Sequence, residues 1–599
     1  MKTEFLYTKM DEIFGPQENF SKDMMKDKWR VLPYEGDTLC GNMIVSDTYE
    51  ADDLYFDPKL TGWYKIYIGL MADSQVGIKL SSERNYMIYS TSKRPSEYYN
   101  GKTIEENLWR CVDMTGERIE ISKKVWTTPY ASYLASIRFV PMTDAEIYEY
   151  KYECSRTDTK NLYATDDMHN RLYFCDMKNL SDWDPVVLKY ENSDVEWISM
   201  EDLRMYIDRT DLLDNIDNIY FSRFGDKMVA INNSRFDFGE VLKHLVDLGH
   251  DNGYRMSVSL RMGAWGMGFP YDGTYFDNNF AMTHTEWRCI DRNGDMFNAM
   301  SYAFPEVQKH ITKHIVQSAE SGCDAVTLIA HRGIPYVQYE KSVADRFYEL
   351  YGEYPYELPL DEPRLHALHC EIMTEFARGV RKALDETYGK DKVKLHLRTM
   401  YSLHDTKYIG IDVEEWAKEG LIDTVIVYAQ RHYDLYDGDI WQEGKEYRID
   451  IDKYTDYVVK MGRCSNSHLD HDVFYPFIGP YTNYKGEICG PKTERERIDQ
   501  WNSLEERYGV KVYIELMPRL MYNEEFRKWA LDLYGLGVKR FGIWDSYMRV
   551  WSNSMWKTLS KIGHKEDLAQ MDTSSHVKYY RISKLGAYHI GRYSPTWGG

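Results

Sequence analysis

Carboxylates end several of the apolar β-type runs in the second half of this sequence. The clearest is Glu515 in the run VKVYIELMPR (510–519), where it alternates with Val512, Ile514 and Leu516. Because successive side chains of a strand point to opposite faces, Glu515 is turned away from the apolar face near the end of the strand. A buried carboxylate there is costly unless it is paired or functional. The pattern predicts acid–base or nucleophilic chemistry, with a structural ion pair to an arginine as the alternative.

Other polar side chains end the remaining β-type runs in the same way. The acidic candidates for a catalytic role are Asp167, Glu201, Asp202 and Asp545, with Glu340 a few residues beyond the fourth run. The candidates for substrate binding at or near these ends are Arg261, Trp265, His331, Arg332, Arg398, His404, Tyr428, Gln430, His432, Arg519 and Trp544. Each signal alone is weak. Together they predict one ligand site, because few folds place so many polar groups at one level.

A single fold explains why these residues would meet. From about residue 160 onward, β-type runs alternate with amphipathic stretches, which is typical of parallel βα units. The eight predicted strands are 161–167, 195–202, 254–261, 325–332, 393–400, 423–430, 510–519 and 539–546. Eight such units predict an α/β fold, a (β/α)8 TIM barrel, with its active site at the C-terminal ends of the strands.

The first part of the chain has a different pattern. From about residue 38 to 150, short runs such as GWYKIYIGL and SYLASIRFVPM follow one another without a helical period. This predicts an antiparallel β-sandwich of the accessory type. A chain of 599 residues is too long for one hydrophobic core. We therefore expect a β-sandwich domain over 1–155 and a catalytic barrel domain over 156–599.

Composition narrows the classes of partner. With 74 Lys and Arg against 95 Asp and Glu, the net charge of −21 disfavours nucleic acid and anionic membranes. No apolar run is long enough for a signal peptide or a membrane span, so a cytoplasmic location is expected. The nine cysteines are scattered without a CxxC pair, which favours reduced thiols over disulfides or a zinc cage. The sequence leaves homo-oligomerisation open.

Two loops have alternative interpretations. The segment 263–280, which contains Trp265, is rich in aromatic residues and glycines; an aromatic cover over the site and packing of its own rings are equally supported. The run His468–Asp472 contains histidines and aspartates but lacks the spacing of a zinc site. No dinucleotide, Walker or GxSxG motif is present. We therefore expect neither a metal nor a cofactor.

The stretch 323–384 resembles the family 10-like glycoside hydrolases. In that family a fourth strand runs into an Arg-x-x-Pro loop, a Tyr-Glu pair and a Phe-x-x-x-Tyr-Gly helix. The counterparts here are Arg332, Pro335, Tyr339, Glu340, Phe347, Tyr351 and Gly352. The segments 410–427 and 556–568 are also similar, so the resemblance covers roughly residues 160–570. It implies a barrel glycosidase of unspecified substrate.

This sequence departs from one common pattern of barrel glycosidases. Many that act by double displacement have the nucleophile on strand seven, where Glu515 lies, and the acid/base carboxylate at the end of strand four. Here the fourth strand ends in Ala-His-Arg-Gly (330–333), with Glu340 as the nearest carboxylate. The acid is therefore left open among Asp167, Glu201, Asp202, Glu340 and Asp545.

The leading hypothesis is hydrolysis of a glycosidic bond by a pair of carboxylates, with carbohydrate as the only partner. One alternative is a sugar lyase or isomerase in which His331, His404 or His432 moves the proton. Another is a carbohydrate-binding protein without catalysis. Four arginines, namely Arg261, Arg332, Arg398 and Arg519, predict an anionic or highly hydroxylated sugar, unless they only neutralise the carboxylates.

Overall fold

The architecture comes from a computed structural model of the chain. It describes residues 3–589 except 24, 49, 73, 92–102, 125–130, 169–170, 173–174, 206–235, 264, 266–278, 332–333, 429–480, 483–484, 517–522, 546–552 and 574–576. Within these residues, no helix has the length and apolar character needed to cross a membrane.

The first part of the chain forms two β-sheets. Its strands are β1 Phe5–Tyr7, β2 Phe20–Ser21, β3 Trp29–Gly36, β4 Cys40–Ser46, β5 Leu54–Phe56, β6 Trp63–Met71, β7 Gln75–Leu80, β8 Met87–Ser90, β9 Thr103–Asp113, β10 Ile119–Ser122 and β11 Ser132–Pro141. The larger sheet contains β3-β4-β11-β6-β9 in that order, and the smaller one is β5-β10-β7-β8. Residues of both sheets, such as Ile66 and Ile78, share one core. This confirms the predicted β-rich accessory part.

The rest of the chain alternates strands and helices. The strands are β12 Leu162–Asp166, β13 Val195–Glu201, β14 Arg255–Arg261, β15 Arg288–Ile290, β16 Met296–Met300, β17 Ala325–Ile329, β18 Lys394–Thr399, β19 Thr424–Val427, β20 Tyr481–Thr482, β21 Ile488–Cys489, β22 Lys511–Leu516, β23 Phe541–Asp545, β24 Val577–Leu585 and β25 Tyr588–His589. Strands β12, β13, β14, β17, β18, β19, β22 and β23 close into a parallel barrel. The predicted (β/α)8 fold is confirmed.

Helices surround the barrel and connect its strands. Over the whole described chain they are α1 Met10–Ile13, α2 Asp144–Ser155, α3 Pro185–Leu188, α4 Phe238–Asp251, α5 Asn279–Thr283, α6 Pro305–Ala319, α7 Lys341–Tyr351, α8 Pro363–Tyr388, α9 Leu403–Tyr408, α10 Val413–Lys418, α11 Glu494–Tyr508, α12 Asn523–Gly535, α13 Asn553–Leu559 and α14 Lys565–Leu568. The apolar side chains of α3 to α14 pack in the same core as Ile198, Val258 and Leu397 of the barrel strands, whereas Met10 of α1 belongs to the core of the two β-sheets and α2 buries no residue.

The alternation of side chains sorts the barrel strands as the sequence predicts. Val512 and Ile514 belong to the core shared with the helices. Tyr163, Ile426 and Tyr513 form a separate cluster inside the barrel. Because the two sets alternate along each strand, the polar residues that share a face with Tyr513, such as Glu515, point inward.

The last described part of the chain returns to the first. Strand β24 pairs antiparallel with β9 through Val577–Arg581 and with β3 through Ile582–Leu585. The larger sheet is therefore completed by a strand that follows the barrel in sequence. The division of the chain at residues 155 and 156 stays a prediction, but this strand lies in the sheet and not in the barrel.

A histidine fastens α2 to the N-terminal end of the barrel. His564 is buried, with Nδ1 2.8 Å from Asp194 Oδ2 and Nε2 2.9 Å from Glu153 Oε2. Burial alone would lower the pKa of His564, but the hydrogen bonds to Asp194 and Glu153 outweigh it, and the pKa lies above its ordinary value. A ring bonded to carboxylates at both nitrogens is therefore held as a cation.

We expect His564→Gln to lower the free energy of unfolding by about 2 kcal/mol near pH 6, because two charge-assisted hydrogen bonds are lost. The raised pKa stabilises the native fold fully below the unfolded value, and this stabilisation is lost as pH rises through the folded value. Chemical denaturation from pH 6 to 9 should show native protein and variant converging as pH rises. A constant gap would show that His564 is not charged.

Candidate active site

A polar layer lies in the middle of the barrel and forms the floor of the site. The Tyr163 hydroxyl is 2.7 Å from Thr327 Oγ1 and 3.1 Å from Nδ1 of His396. Ser257 Oγ is 2.6 Å from the same Thr327 oxygen. Burial, together with the positive charges of Lys511, Lys394 and Arg255, lowers the pKa of His396 to about 3. His396 is therefore a neutral, structural imidazole at neutral pH.

Above this floor, Arg398 and Glu515 form an ion pair inside the barrel. Arg398 Nη2 bonds to Glu515 Oε1, and neither side chain is exposed. Arg398 Nη1 also donates to Thr165 Oγ1 at 2.8 Å. The inward direction predicted for Arg398 and Glu515 is confirmed by these contacts. Sequence reasoning gave Thr165 no role, although the parity of its strand already pointed it inward.

A second ion pair lies at the same end of the barrel. Arg261 Nε is 2.8 Å from Glu201 Oε1, and Glu201 is fully buried while 18% of the Arg261 side chain is exposed. The strand register places Arg261 beside Ile329, and Ile329 beside Arg398. The two arginines, from β14 and β18, are thus at one level of the barrel.

The Trp544 ring is close to the arginines of both ion pairs. Its ring centroid is 4.2 Å from Cζ of Arg398 and 5.8 Å from Cζ of Arg261. His331 stacks on Tyr428 with centroids 4.0 Å apart and meets Trp544 edge-on at 5.3 Å. The predicted residues Trp544, His331 and Tyr428 therefore form one aromatic group, and Trp544 brings it next to the guanidinium groups of both ion pairs. Flat apolar rings next to charged groups suit a sugar, which has both kinds of surface.

The other acidic candidates differ in their surroundings. Asp167 is buried just beyond the end of β12. Asp202 accepts hydrogen bonds from Nε and Nη2 of Arg204 at 3.0 and 2.6 Å and from Ser318 Oγ at 2.7 Å, so it fastens its loop to α6. Asp545 is the last residue of β23. The described residues do not include the side chain of Asp545. They also do not include any part of Arg332, Gln430, His432, Arg519 or His468–Asp472.

Two of the predicted substrate-binding residues lie in other surroundings. Trp265 is buried against Phe280 and His310, with ring centroids 6.1 Å from each. Trp265 and Phe280 thus pack on each other, and the remaining aromatic residues of the segment 263–280 lie outside the described residues, so the two interpretations of this loop stay open. His404 lines a cleft of about 590 Å³ at α8 and α9, together with His366 and other polar side chains. Among the described residues, no group of three or more His, Cys, Asp or Glu side chains is arranged to hold a metal.

Glu340 binds the hairpin β15–β16 to the start of α7. It is fully buried, and its carboxylate accepts hydrogen bonds from the backbone N–H groups of Gln338 at 3.0 Å and Ile290 at 3.2 Å. Burial raises the pKa of Glu340 to about 7, against the backbone donors that lower it. Its described bonds join loops outside the barrel, which favours a structural role.

We expect the native protein to lose stability relative to Glu340→Gln as pH rises between about 5 and 8. Because the folded pKa is raised, the stabilising contribution of the neutral acid is complete below the unfolded value and is lost on ionisation. The rise of the Glu340 pKa to about 7 corresponds to a fall of about 3 kcal/mol in the free energy of unfolding of the native protein relative to that of the variant. Denaturant titrations should show it, with Glu349→Gln on the exposed face of α7 as the unaffected control. Parallel stability curves would contradict the assignment.

No protein-family model matches this sequence, and no curated protein matches it. The resemblance to the family 10-like glycoside hydrolases therefore stays a prediction.

Several solved structures are similar in fold. A noncanonic maltogenic α-amylase AmyB from Thermotoga neapolitana is 11% identical, with 68% of this chain and 77% of that chain covered and a TM-score of 0.34. The catalytic domain of a β-amylase from Paenibacillus polymyxa is 9% identical, with 64% of this chain and 92% of that chain covered and a TM-score of 0.38. An endo-β-1,4-mannanase from Thermotoga petrophila is 8% identical, with 69% of this chain and 77% of that chain covered and a TM-score of 0.36. The function proposed below rests on the side chains at the barrel mouth and not on these similarities.

Proposed function

We propose that this chain hydrolyses an O-glycosidic bond with Glu515 and Glu201 as the carboxylate pair. The observation that carries the proposal is that both glutamates are fully buried at the C-terminal ends of β22 and β13, each in an ion pair with an arginine. The Trp544 ring lies next to both guanidinium groups. Cleavage of a glycosidic bond requires two carboxyl groups that flank the scissile bond, and two glutamates at one end of the barrel can supply such a pair.

Glu515 takes the role of nucleophile or base. Its ion pair with Arg398 keeps the negative charge on the carboxylate, and Thr165 fixes the direction of the guanidinium. A charge that is oriented before substrate arrives need not be reorganised during the reaction. Glu515 therefore attacks the anomeric carbon directly or activates a water molecule.

Glu201 is the proposed second carboxylate. Because the guanidinium of Arg261 stabilises its ionised form, Glu201 can act as the proton donor only after the bound sugar draws Arg261 away from it. Of the acidic candidates with described side chains, it is the one whose ion pair contacts the same tryptophan as the Glu515 pair. Its partner Arg261 is the more exposed arginine, so a bound sugar can reach this side of the site. Asp167 and Asp545 are the next candidates by strand position. A separation of about 5–5.5 Å between the two carboxyl groups would give retention, and about 6.5–9.5 Å would give inversion.

The observed ion pairs also bear on the charge of the substrate. Arg261 and Arg398 each contact a glutamate, so within this group two positive charges balance two negative ones. A guanidinium that is already bound to a carboxylate has fewer free N–H donors and less unbalanced positive charge for binding a sulfate or a uronate. Of the two substrate classes indicated by the sequence, these pairs favour a highly hydroxylated, uncharged sugar.

A sugar lyase or isomerase is the second candidate, and the position of His331 supports it. This histidine is buried at the barrel mouth, in contact with Tyr428 and Trp544. A histidine can move a proton between carbon and oxygen without water being added. Reaction in heavy-oxygen water separates the two, because only hydrolysis places the label in the product.

We expect Glu515→Gln to lower kcat by at least two to three orders of magnitude, the scale for loss of a major catalytic group. The amide keeps the shape but leaves Arg398 without its counter-charge, so a thermal unfolding curve must first show that the variant is folded; sugar binding should then persist. Release of a chromogenic aglycone measures the first effect and calorimetry the second. The matched control is Glu196→Gln, because Glu196 lies on the same strand as Glu201 but bonds to Tyr513 near the opposite end. Near-native turnover of Glu515→Gln would assign Glu515 a structural role.

We expect neutral glycosides to exceed the matching uronides and sulfated glycosides in kcat/KM by about tenfold or more. The physical reason is that an anionic group would add charge beside glutamates whose arginines are already paired. A panel of aryl glycosides that differ only at the sugar's C6 carboxylate or sulfate measures this ratio. Preference for the anionic member would reverse the proposed charge assignment while leaving hydrolysis intact.

A further inference from the structure

A row of tyrosines lies outside the barrel, beyond its fourth strand. Tyr348 stacks with Tyr354 at a centroid distance of 4.7 Å, Tyr354 with Tyr356 at 5.8 Å, and Tyr356 with Tyr339 at 6.3 Å. Neighbouring ring planes differ by 24°, 23° and 28°. These four residues, called the tyrosine row below, thus have nearly parallel rings.

The local sequence explains why the row forms. Helix α7 buries Val343, Ala344 and Phe347, which leaves Tyr348 on its outer side. The helix ends at Gly352, whose φ of 75° is the left-handed conformation that glycine adopts without strain. The chain then turns back through the short 3-10 turn Pro355–Glu357, which places Tyr354 and Tyr356 against the helix.

The outer end of the row is unusually exposed for aromatic residues. The exposed fractions are 46% for Tyr348 and 47% for Tyr354. Large aromatic side chains that cluster in water mark interaction sites more often than single exposed residues do. The inner end is buried at Tyr339, where Arg292 donates to the Tyr339 hydroxyl at 3.4 Å and to the Leu358 carbonyl at 2.7 Å.

The row is continuous with the loop that leaves the proposed site. That loop begins at His331 in the barrel mouth and reaches Tyr339 within eight positions of sequence. Tyr339 and Arg292 also line a cavity of about 230 Å³, together with Asp291, Asn293 and Gln338. Polar groups therefore meet the buried end of the aromatic row on the side of the molecule where strands β17 and β18 end.

We propose that the tyrosine row is a binding strip for a polysaccharide chain, separate from the cleavage site and serving to hold a polymeric substrate near it. The strip deepens the proposed function, since it assigns a polymer and not a small glycoside as the natural substrate. Tyrosine rings pack on the apolar C–H faces of sugars, while their hydroxyls and the polar groups around Arg292 meet sugar hydroxyls.

A glycan fits the row better than a protein partner does. Protein interfaces combine aromatic residues with an aliphatic core. The row itself consists of tyrosines, with the acidic Glu349 and Glu353 beside it, and Leu350 and Leu360 are the exposed aliphatic residues of the described chain nearest to it in sequence. The charge of the whole chain, −21, also disfavours an anionic polymer. The expected ligand is therefore a neutral or cationic polysaccharide.

The test is affinity electrophoresis through gels containing soluble starch, galactomannan, xylan, hydroxyethylcellulose or glycol chitosan. All proteins carry Glu515→Gln, so that retardation reports binding and not digestion of the gel. Tyr348→Ala with Tyr354→Ala should weaken retardation by about tenfold, because two ring contacts are lost. Tyr348→Phe with Tyr354→Phe keeps the rings and should preserve most of the binding.

The matched control removes two exposed tyrosines elsewhere. Tyr148 and Tyr152 lie on α2 with exposed fractions of 76% and 57%, and their replacement by Ala should leave retardation unchanged. In the otherwise native chain, the Tyr348→Ala, Tyr354→Ala variant should cleave a short aryl glycoside normally but a polymer more slowly. Equal retardation of row and control variants, or no retardation by any polymer, would overturn the proposal. Light scattering that shows the row variant breaking a dimer would assign the surface to a second copy.

These readouts keep the two proposals apart. Retardation that depends on the row, without any glycoside cleavage, would retain the strip and remove the hydrolase. Cleavage of aryl glycosides without such retardation would do the opposite.

Discussion

The ion pair between Arg398 and Glu515 is the constraint on which the upper half of the barrel depends. Both side chains are fully buried, so each charge needs its partner, and removal of either would leave an uncompensated charge away from water. Thr165 and the Trp544 ring take up further faces of the guanidinium. Well-packed apolar residues could fill the same space at no loss of stability. A carboxylate retained at this position is therefore better explained by chemistry than by stability.

The polar side chains beneath the ion pair close the barrel below it and exclude water from that side. Tyr163, Thr327, Ser257 and His396 satisfy one another by hydrogen bonds, so the floor is polar without being charged. The low pKa of His396 belongs to this design, because a cation there would repel Arg398 from below. Arg261 and Glu201 form a second pair next to Trp544, but with the arginine partly open to solvent. The site is thus closed at its floor and reachable from the side of Arg261.

The alternation of β-type runs with amphipathic stretches was enough to predict the barrel, and side-chain parity within the strands was enough to predict the inward direction of Glu515 and Arg398, because both are local properties of the sequence. They could not predict which arginine pairs with which glutamate, since that depends on strand register around a closed sheet. Arg261 is the last residue of β14, but Glu340 and Trp265 lie beyond the ends of their strands, and their contacts lie with the hairpin and with His310. Parity has no meaning once a strand has ended. Strand β24 was missed for a related reason, because its partners β9 and β3 lie several hundred residues earlier.

The choice of the second carboxylate in the proposed reaction depends on which strand ends of the barrel hold a carboxylate. A common arrangement places that group at the end of the fourth strand, but there the chain has His331, stacked on Tyr428 and packed against Trp544. An aromatic stack at this point excludes water and supplies an apolar wall, and neither property is that of a carboxylate. The second carboxylate must then come from another strand of the same level, and Glu201 meets this condition through Arg261. In the proposed reaction, the fourth strand therefore contributes binding surface and the second strand contributes the second carboxylate.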